Sequence, residues 1–292
     1  MSIISDRSHH LFRKTERDLL KVSVSQQADT VHRFRTTTRR LQTLLEALIP
    51  KRDRNQKKLL KMLDPIRRRA GKVRDLDVQL GALRSLKTPQ QPRRKTQLMH
   101  VLIELRAKHE DKLSKMLTKE SIREIRKRLR KASKEVDAKG SRDPLAVARE
   151  MLAEVEDPPG TRTSAKPLTE DVLHQYRTVV KRARYAAEFA PKSAESSQFI
   201  AELKRLQDAI GNWHDWLTLT HTATRRLGDI NESSLVAALH NVTGAKFRHA
   251  AIALSTSPAI KRLPKPVAML PEHSRKLSFE TPRSQEHNES AA

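Results

Sequence analysis

The sequence predicts an all-α protein built as a duplicated helical bundle, and three observations carry that reading. Apolar residues recur at intervals of three and four along most of the 292 residues, the period of a helix that buries one face. Alternating runs of β-branched residues are absent, so no segment reads as a strand. Two stretches far apart in the chain also repeat each other's residue types in the same order, the mark of an internal duplication.

Taken in order, the apolar period predicts helices over 6–22, 27–49, 54–86, 93–117, 120–138, 143–155, 168–190, 196–227 and 232–255. Proline marks the breaks, because its ring removes a donor and blocks helix propagation. Thr88-Pro89-Gln90-Gln91-Pro92 separates the third and fourth helices. Pro158, Pro159, Gly160 and Pro167 separate the sixth and seventh. Beyond Ser257 the sequence is polar and carries Pro258, Pro264, Pro266, Pro271 and Pro282, so 261–292 reads as a disordered tail. A helical region of 6–255 remains, with a first repeat over 6–140 and a second over 143–255.

The repeat is specific at the level of residues. Residues 31–48, VHRFRTTTRRLQTLLEAL, align with 173–190, LHQYRTVVKRARYAAEFA, at an offset of 142. His32 falls on His174, Phe34 on Tyr176, Arg35 on Arg177, Arg39 on Lys181, Arg40 on Arg182 and Glu46 on Glu188. A shorter match follows each copy: GKVRD at 71–75 and GNWHD at 211–215, which pair Gly71 with Gly211 and Asp75 with Asp215.

On a helix turning about 100° per residue, Phe34, Leu41, Leu44, Leu45 and Leu48 form one stripe, while His32, Arg35 and Arg39 lie opposite. The second copy repeats the division: Tyr176, Val179, Val180, Ala183 and Ala187 against His174, Arg177, Lys181 and Arg184. A solvated face would accept glutamate or glutamine at these positions, and stacked cations repel one another along a helix. An anion would remove that repulsion. Arginine's bidentate fork and lysine's point charge suit phosphate oxygens, and histidine donates from either charge state near neutral pH. Trp213 and Trp216 read as core anchors, while His9, His10 and His287 sit in polar or terminal sequence without an assignable role.

Composition points the same way. Lys+Arg 59 against Asp+Glu 34 gives a formal charge of +25, which calls for an anionic partner. The absence of cysteine excludes disulfides, thiolate metal sites and a cysteine nucleophile, and it fits a reducing cytoplasm. No apolar leader opens the sequence and no segment is long and apolar enough to span a bilayer, so neither secretion nor membrane insertion is expected.

The pattern H-x-x-R-x-x-x-[RK]-R followed by G-x-x-[RH]-D, in two copies on a basic helical chain, resembles the CHAD (conserved histidine alpha-helical domain) family over about 6–255. The resemblance implies two pseudo-symmetric antiparallel helical bundles around a basic central pore. It also implies non-enzymatic binding of inorganic polyphosphate, often on polyphosphate granules. Carried over by position, the polyphosphate ligands are His32, Arg35, Arg39, Arg40, His174, Arg177, Lys181, Arg182 and Arg184. Lys61, Arg67, Arg74, Arg106, Lys204, His214, Lys246 and Arg248 are further candidates to line the channel. Asp75 and Asp215 would repel an anion directly. They are expected to orient the basic side chains or to pair with Arg74 and His214. Gly71 and Gly211 are expected to permit close helix packing or a bend. Gln42, where a further arginine is common, and Trp216-Leu217 in place of Leu76-Asp77 depart from the pattern and point to unequal halves.

Two other functions compete. Nonspecific nucleic-acid binding fits the charge, but aromatics are only 3%, which leaves few stacking platforms for bases. A metal-dependent phosphohydrolase built on His214-Asp215 would need further ligands converging on the metal, whereas the histidines here keep company with arginines. No catalytic residue, metal or cofactor is therefore assigned. The E-x-E-x-K strand of a triphosphate tunnel enzyme and the phosphate-binding loop G-x-x-x-x-G-K-[ST] are both absent. Protein partners and oligomeric state are not legible.

Overall fold

The computed structural model of the protein describes residues 3–87, 92–136, 141–156 and 168–260. The expected tail at 261–292, the two proline-marked breaks and the last residues of the expected 120–138 helix lie outside the described residues. Nine α-helices and no strand occur among those described. They are α1 Ile3–Val24, α2 Ala28–Thr43, α3 Arg54–Ser85, α4 Pro92–Ser114, α5 Lys119–Val136, α6 Pro144–Glu156, α7 Glu170–Ala187, α8 Ala194–Leu227 and α9 Ser234–Ser255. All nine expected helices are present, with boundaries shifted by a few residues.

Local chemistry sets the ends. Asp53 caps α3 by accepting from the Gln56 amide at 2.8 Å, while the Gln56 side chain accepts from the Asp53 amide at 3.3 Å, the reciprocal pair of a capping box. Ser193 and Ser196 do the same for α8. At the other end of α8, Gly228 stands at φ +88°, a left-handed conformation that glycine adopts without steric cost.

Two ends differ from the periodicity. The expected 27–49 helix leaves α geometry at Thr43 and continues as a π turn over Leu44–Leu48. The Ile49 amide donates to the Leu44 carbonyl at 3.2 Å, a wider register than sequence period can detect. The expected 168–190 helix ends as α-helix at Ala187, and the Phe189 and Ala190 amides turn back to the carbonyls of Ala186 and Ala187.

Packing follows chain order twice. Neighbours α1–α2–α3–α4 pack in sequence, and so do α6–α7–α8–α9. Helix α5 lies against α1 and α3, and among the described residues no helix of the second half occupies the matching place. The halves meet where α2 faces α7 and α3 faces α8. Their core is shared: one buried cluster includes Phe34, Leu41 and Leu45 of the first half with Tyr176, Val180 and Trp213 of the second. A second cluster joins Leu76, Leu80 and Leu83 of α3 to Leu98 and Leu102 of α4, Leu219 of α8 and Leu239 of α9. Cross-chain clips reinforce the seam. The Arg7 guanidinium donates to the Glu188 carbonyl at 3.0 Å and also to that of Ala190, and the Arg142 amide donates to the Leu48 carbonyl at 3.0 Å.

The two repeated glycines differ. An added Cβ at Gly71 would sit 3.4 Å from the Arg35 Nε, so the Arg35 side chain lies against the bare backbone of α3. A Cβ at Gly211 would meet nothing within 4 Å, so close packing does not account for that glycine. Gly211→Ala is accordingly expected to stabilise the fold by about 0.5–1 kcal/mol through helix propensity alone. A denaturant melt measures this, and a loss of stability would contradict it.

Candidate functional site

The face of α2 opposite its apolar stripe carries Arg35 and Arg39, and the corresponding face of α7 carries Arg177 and Lys181. Because α2 and α7 meet across the seam between the halves, these faces turn toward each other rather than to open solvent. All four side chains are half-buried. Each feels its partners across the seam: Arg35 and Arg39 act on Lys181, and Arg35 acts on Arg177.

The electrostatic consequences are large. Burial, then the charges of Arg177, Arg35 and Arg39, push the Lys181 ammonium down to about 7. Burial and the neighbouring Arg35 and Arg67 push Arg39 down to about 10. Burial also lowers Arg177, against the favourable pull of Asp215. The Nε atoms of Arg39 and Arg177 are buried with no hydrogen-bond partner among the described residues. A stability-driven core would pair such donors or replace them with apolar groups.

Two carboxylates border the cations. Asp75 of α3 pairs with Arg35, Nη2 to Oδ1 at 3.4 Å, and thus takes a partner on the facing helix rather than Arg74 beside it. Asp215 of α8 is the strongest charge acting on Arg177. Burial holds the Asp215 carboxyl above its ordinary range, and the nearby Asp75 adds to that, against the pull of Arg177. Both acids thus stand where they can hold a guanidinium in place.

The histidines flank this core. The His174 and His214 rings lie 5.2 Å apart, tilted by 51°. Burial, then Arg177, His174 and Lys181, press His214 down to about 3, which keeps it neutral. In the first copy, His32 is lowered chiefly by burial and then by Arg74. Arg74 stands at the position that His214 occupies in the second copy. Trp213 is fully buried edge-on to Phe247, at 5.9 Å, and Trp216 packs against the second core cluster.

Other expected ligands go elsewhere. Arg40 and Arg182 fall about 100° around their helices from Arg39 and Lys181, and this rotation separates them from the cluster. Arg40 makes a bidentate pair with Glu188, at 2.7 and 3.1 Å, and lies over the Tyr185 ring. Arg184 also reaches Glu188, at 3.5 Å, and covers the same ring. Arg182 is exposed. The side-chain pairing of the two copies differs here. Gln42 stands where the second copy has Arg184, and it donates to Glu46 at 3.1 Å.

Of the further candidates, Arg67 pairs with Asp64 yet stands close enough to Arg39 to depress it. Lys61 and Arg67 line a groove between α2 and α3. Arg106 is engaged within the first half. Its guanidinium binds Asp77 at 2.6 Å, Glu110 at 2.5 Å and the Gln26 carbonyl at 2.8 Å, so its donors tie α4 to α3 and the end of α1. Lys204 and Arg248 are exposed and Lys246 is half-buried, and none ranks among the charges acting most strongly on the cluster. The Tyr185–Glu188 shelf was missed as a unit. Its one trace in the sequence is the recurrence of glutamate at 46 and 188.

No group of three acidic or histidine side chains poised to hold a metal occurs among the described residues. None of their helices is long and apolar enough to cross a membrane.

Comparison with known proteins agrees with this architecture. The crystal structure of the CHAD domain from the plant Ricinus communis superposes with a TM-score of 0.59 at 16% identity, covering 88% of this chain and 92% of that one. That likeness concerns the fold. No protein of curated function matches the sequence. The family model of the CHAD domain matches residues 7–224, and α9 lies beyond that range although it packs on α8. With most of its length matched, the chain belongs to the CHAD domain family.

Proposed function

We propose that the protein binds inorganic polyphosphate non-enzymatically in a basic pore between its two halves, with Arg35, Arg39, Arg177 and Lys181 as the principal contacts. The observation that carries the reading is the convergence of these four cations from two facing helices into a half-buried seam bordered by two acids. Such an arrangement costs stability in the free protein, and a chain of phosphates would offset the cost at every repeat. Arg35 and Arg177, held beside Asp75 and Asp215, offer fixed forks. Lys181 gains its charge as the anion arrives. The spacing of three and four residues repeats every 4.5–6 Å or so along each helix, a ladder that a flexible phosphate chain can follow. His174, His214 and His32 line the flank as hydrogen-bond donors, with His214 held neutral by burial and the neighbouring cations.

The same charges disfavour a metal centre at His214-Asp215, since Arg177, Lys181 and Arg35 surround that pair and would repel a cation. A half-buried seam also suits a slender phosphate chain better than a nucleic-acid duplex. Isothermal calorimetry at about 150 mM salt, near physiological screening, tests the reading with long-chain polyphosphate, tripolyphosphate and duplex DNA. The expected order is long-chain polyphosphate first, with affinity falling steeply as salt rises. DNA binding as tight as polyphosphate would overturn it.

A further inference from the structure

A second concentration of cations lies away from the seam, where the start of α3 meets the middle of α5. The two helices enclose a cleft of about 360 Å³ lined by Arg54 and Lys58 of α3 and by Lys127, Arg128 and Lys131 of α5, with Asn55 and Glu124. The positions follow from helical spacing. Arg54 and Lys58 are four apart, while Glu124, Lys127, Arg128 and Lys131 form one stripe beside the buried stripe of Ile125, Leu129 and Ala132.

The cleft has a hydrogen-bonded floor and an exposed rim. Arg128 donates from Nη1 to the Asn55 Oδ1 at 3.2 Å, and its carbonyl accepts from the Asn55 Nδ2 at 3.2 Å, which locks α5 to α3. Glu124 pairs with Nη2 of the same guanidinium. The third nitrogen, Nε, is buried without a partner among the described residues. Arg54, Lys58 and Lys127 are exposed and have no ion pair among the described residues, and Lys131 lies 3.8 Å from Glu135. Asp53, next to Arg54, is engaged in capping α3. The cleft's lining thus holds five cations and one carboxylate, Glu124, which Arg128 already occupies, and among the described residues only Lys131 has a further acid, Glu135, within ion-pair distance. On the other flank of α5 the sequence behaves differently, since Arg126 and Arg130 both pair with Glu16 of α1. An ordinary solvated face would resemble that flank.

We propose that this cleft is a second phosphate-chain site, which holds a distal segment of the same polyphosphate chain that the central cluster binds. The inference rests on the polyphosphate reading above. Lys58 and Asp75 share α3, and a rise of 1.5 Å per residue puts the two sites about 25 Å apart. Tripolyphosphate is too short to span that distance. A long chain held at one site presents its remainder to the other at high effective concentration, so the protein discriminates by chain length.

The test is calorimetry on the full chain carrying Lys58→Ala, Lys127→Ala and Lys131→Ala, all exposed lysines, with a thermal melt to verify folding. Affinity for long-chain polyphosphate is expected to fall about tenfold or more, while that for tripolyphosphate stays unchanged. A control variant removes the exposed Lys21, Lys87 and Lys192 instead. Unchanged long-chain affinity in the triple variant overturns the second site, and so does an equal loss in the control, which would mark an effect of net charge alone. Both outcomes leave the central site standing. If the wild-type protein binds no polyphosphate of either length, the functional reading falls and this inference falls with it.

Discussion

Replacing Arg35, Arg39, Arg177 and Lys181 together with alanine is expected to weaken long-chain polyphosphate binding by about a thousandfold or more at moderate salt. Charge-assisted hydrogen bonds to anions contribute about 1.5–3 kcal/mol each, so the loss of four exceeds that factor even after neighbours compensate. The salt dependence should change with it. If each cation neutralises one phosphate, the slope of log affinity against log salt falls by about three. Calorimetry and a salt titration read both quantities. If the variant folds cooperatively and binds as tightly as wild type, the cations of the seam are not the site. The other arginines and lysines remain in that variant, so a small uniform loss would point to net charge instead.

Lys181→Met is expected to stabilise the free protein at neutral pH while weakening anion binding. Methionine keeps much of the volume and removes a charge that burial and three arginines oppose. The folded group ionises at about 7 instead of 10.5, a difference equivalent to about 5 kcal/mol at full size. Solvent screening at a half-buried position leaves about 2 kcal/mol. The pH dependence has a definite sign. Between pH 7 and 10.5 the unfolded chain binds the Lys181 proton and the folded chain has largely released it, so stability from this group rises with pH across that window. Above it the lysine is neutral in both states. The advantage of Lys181→Met should therefore be full near pH 7 and gone by about pH 10.5. Denaturant melts at several pH values measure it, and a variant less stable than wild type at pH 7 would contradict the placement of Lys181 among cations. Function held against stability in this way is common at binding sites.

His32/His174, Arg35/Arg177 and Arg39/Lys181 occupy one helical face in each copy, and period alone finds that face. The fate of Arg40 could not be found so. It stands next to Arg39, but its guanidinium meets Glu188, 148 positions away. The partners of Arg106 are hidden from the sequence in the same way. A lone arginine on an amphipathic helix looks free until Asp77 and Gln26 are brought beside it. Gly71 and Gly211 are indistinguishable as letters, yet Arg35 lies against the first and open space surrounds the second.

The sequence by itself determined the all-helical class, the order and approximate extent of the nine helices among the described residues, and the family. It could do so because hydrophobic period, capping residues and a repeated motif are local properties that a chain states along its length. Only the tertiary structure decided which cations share a site. Their charges act on one another through space and through whatever solvent burial excludes. That is set by α2 meeting α7 across the seam, not by spacing within either helix.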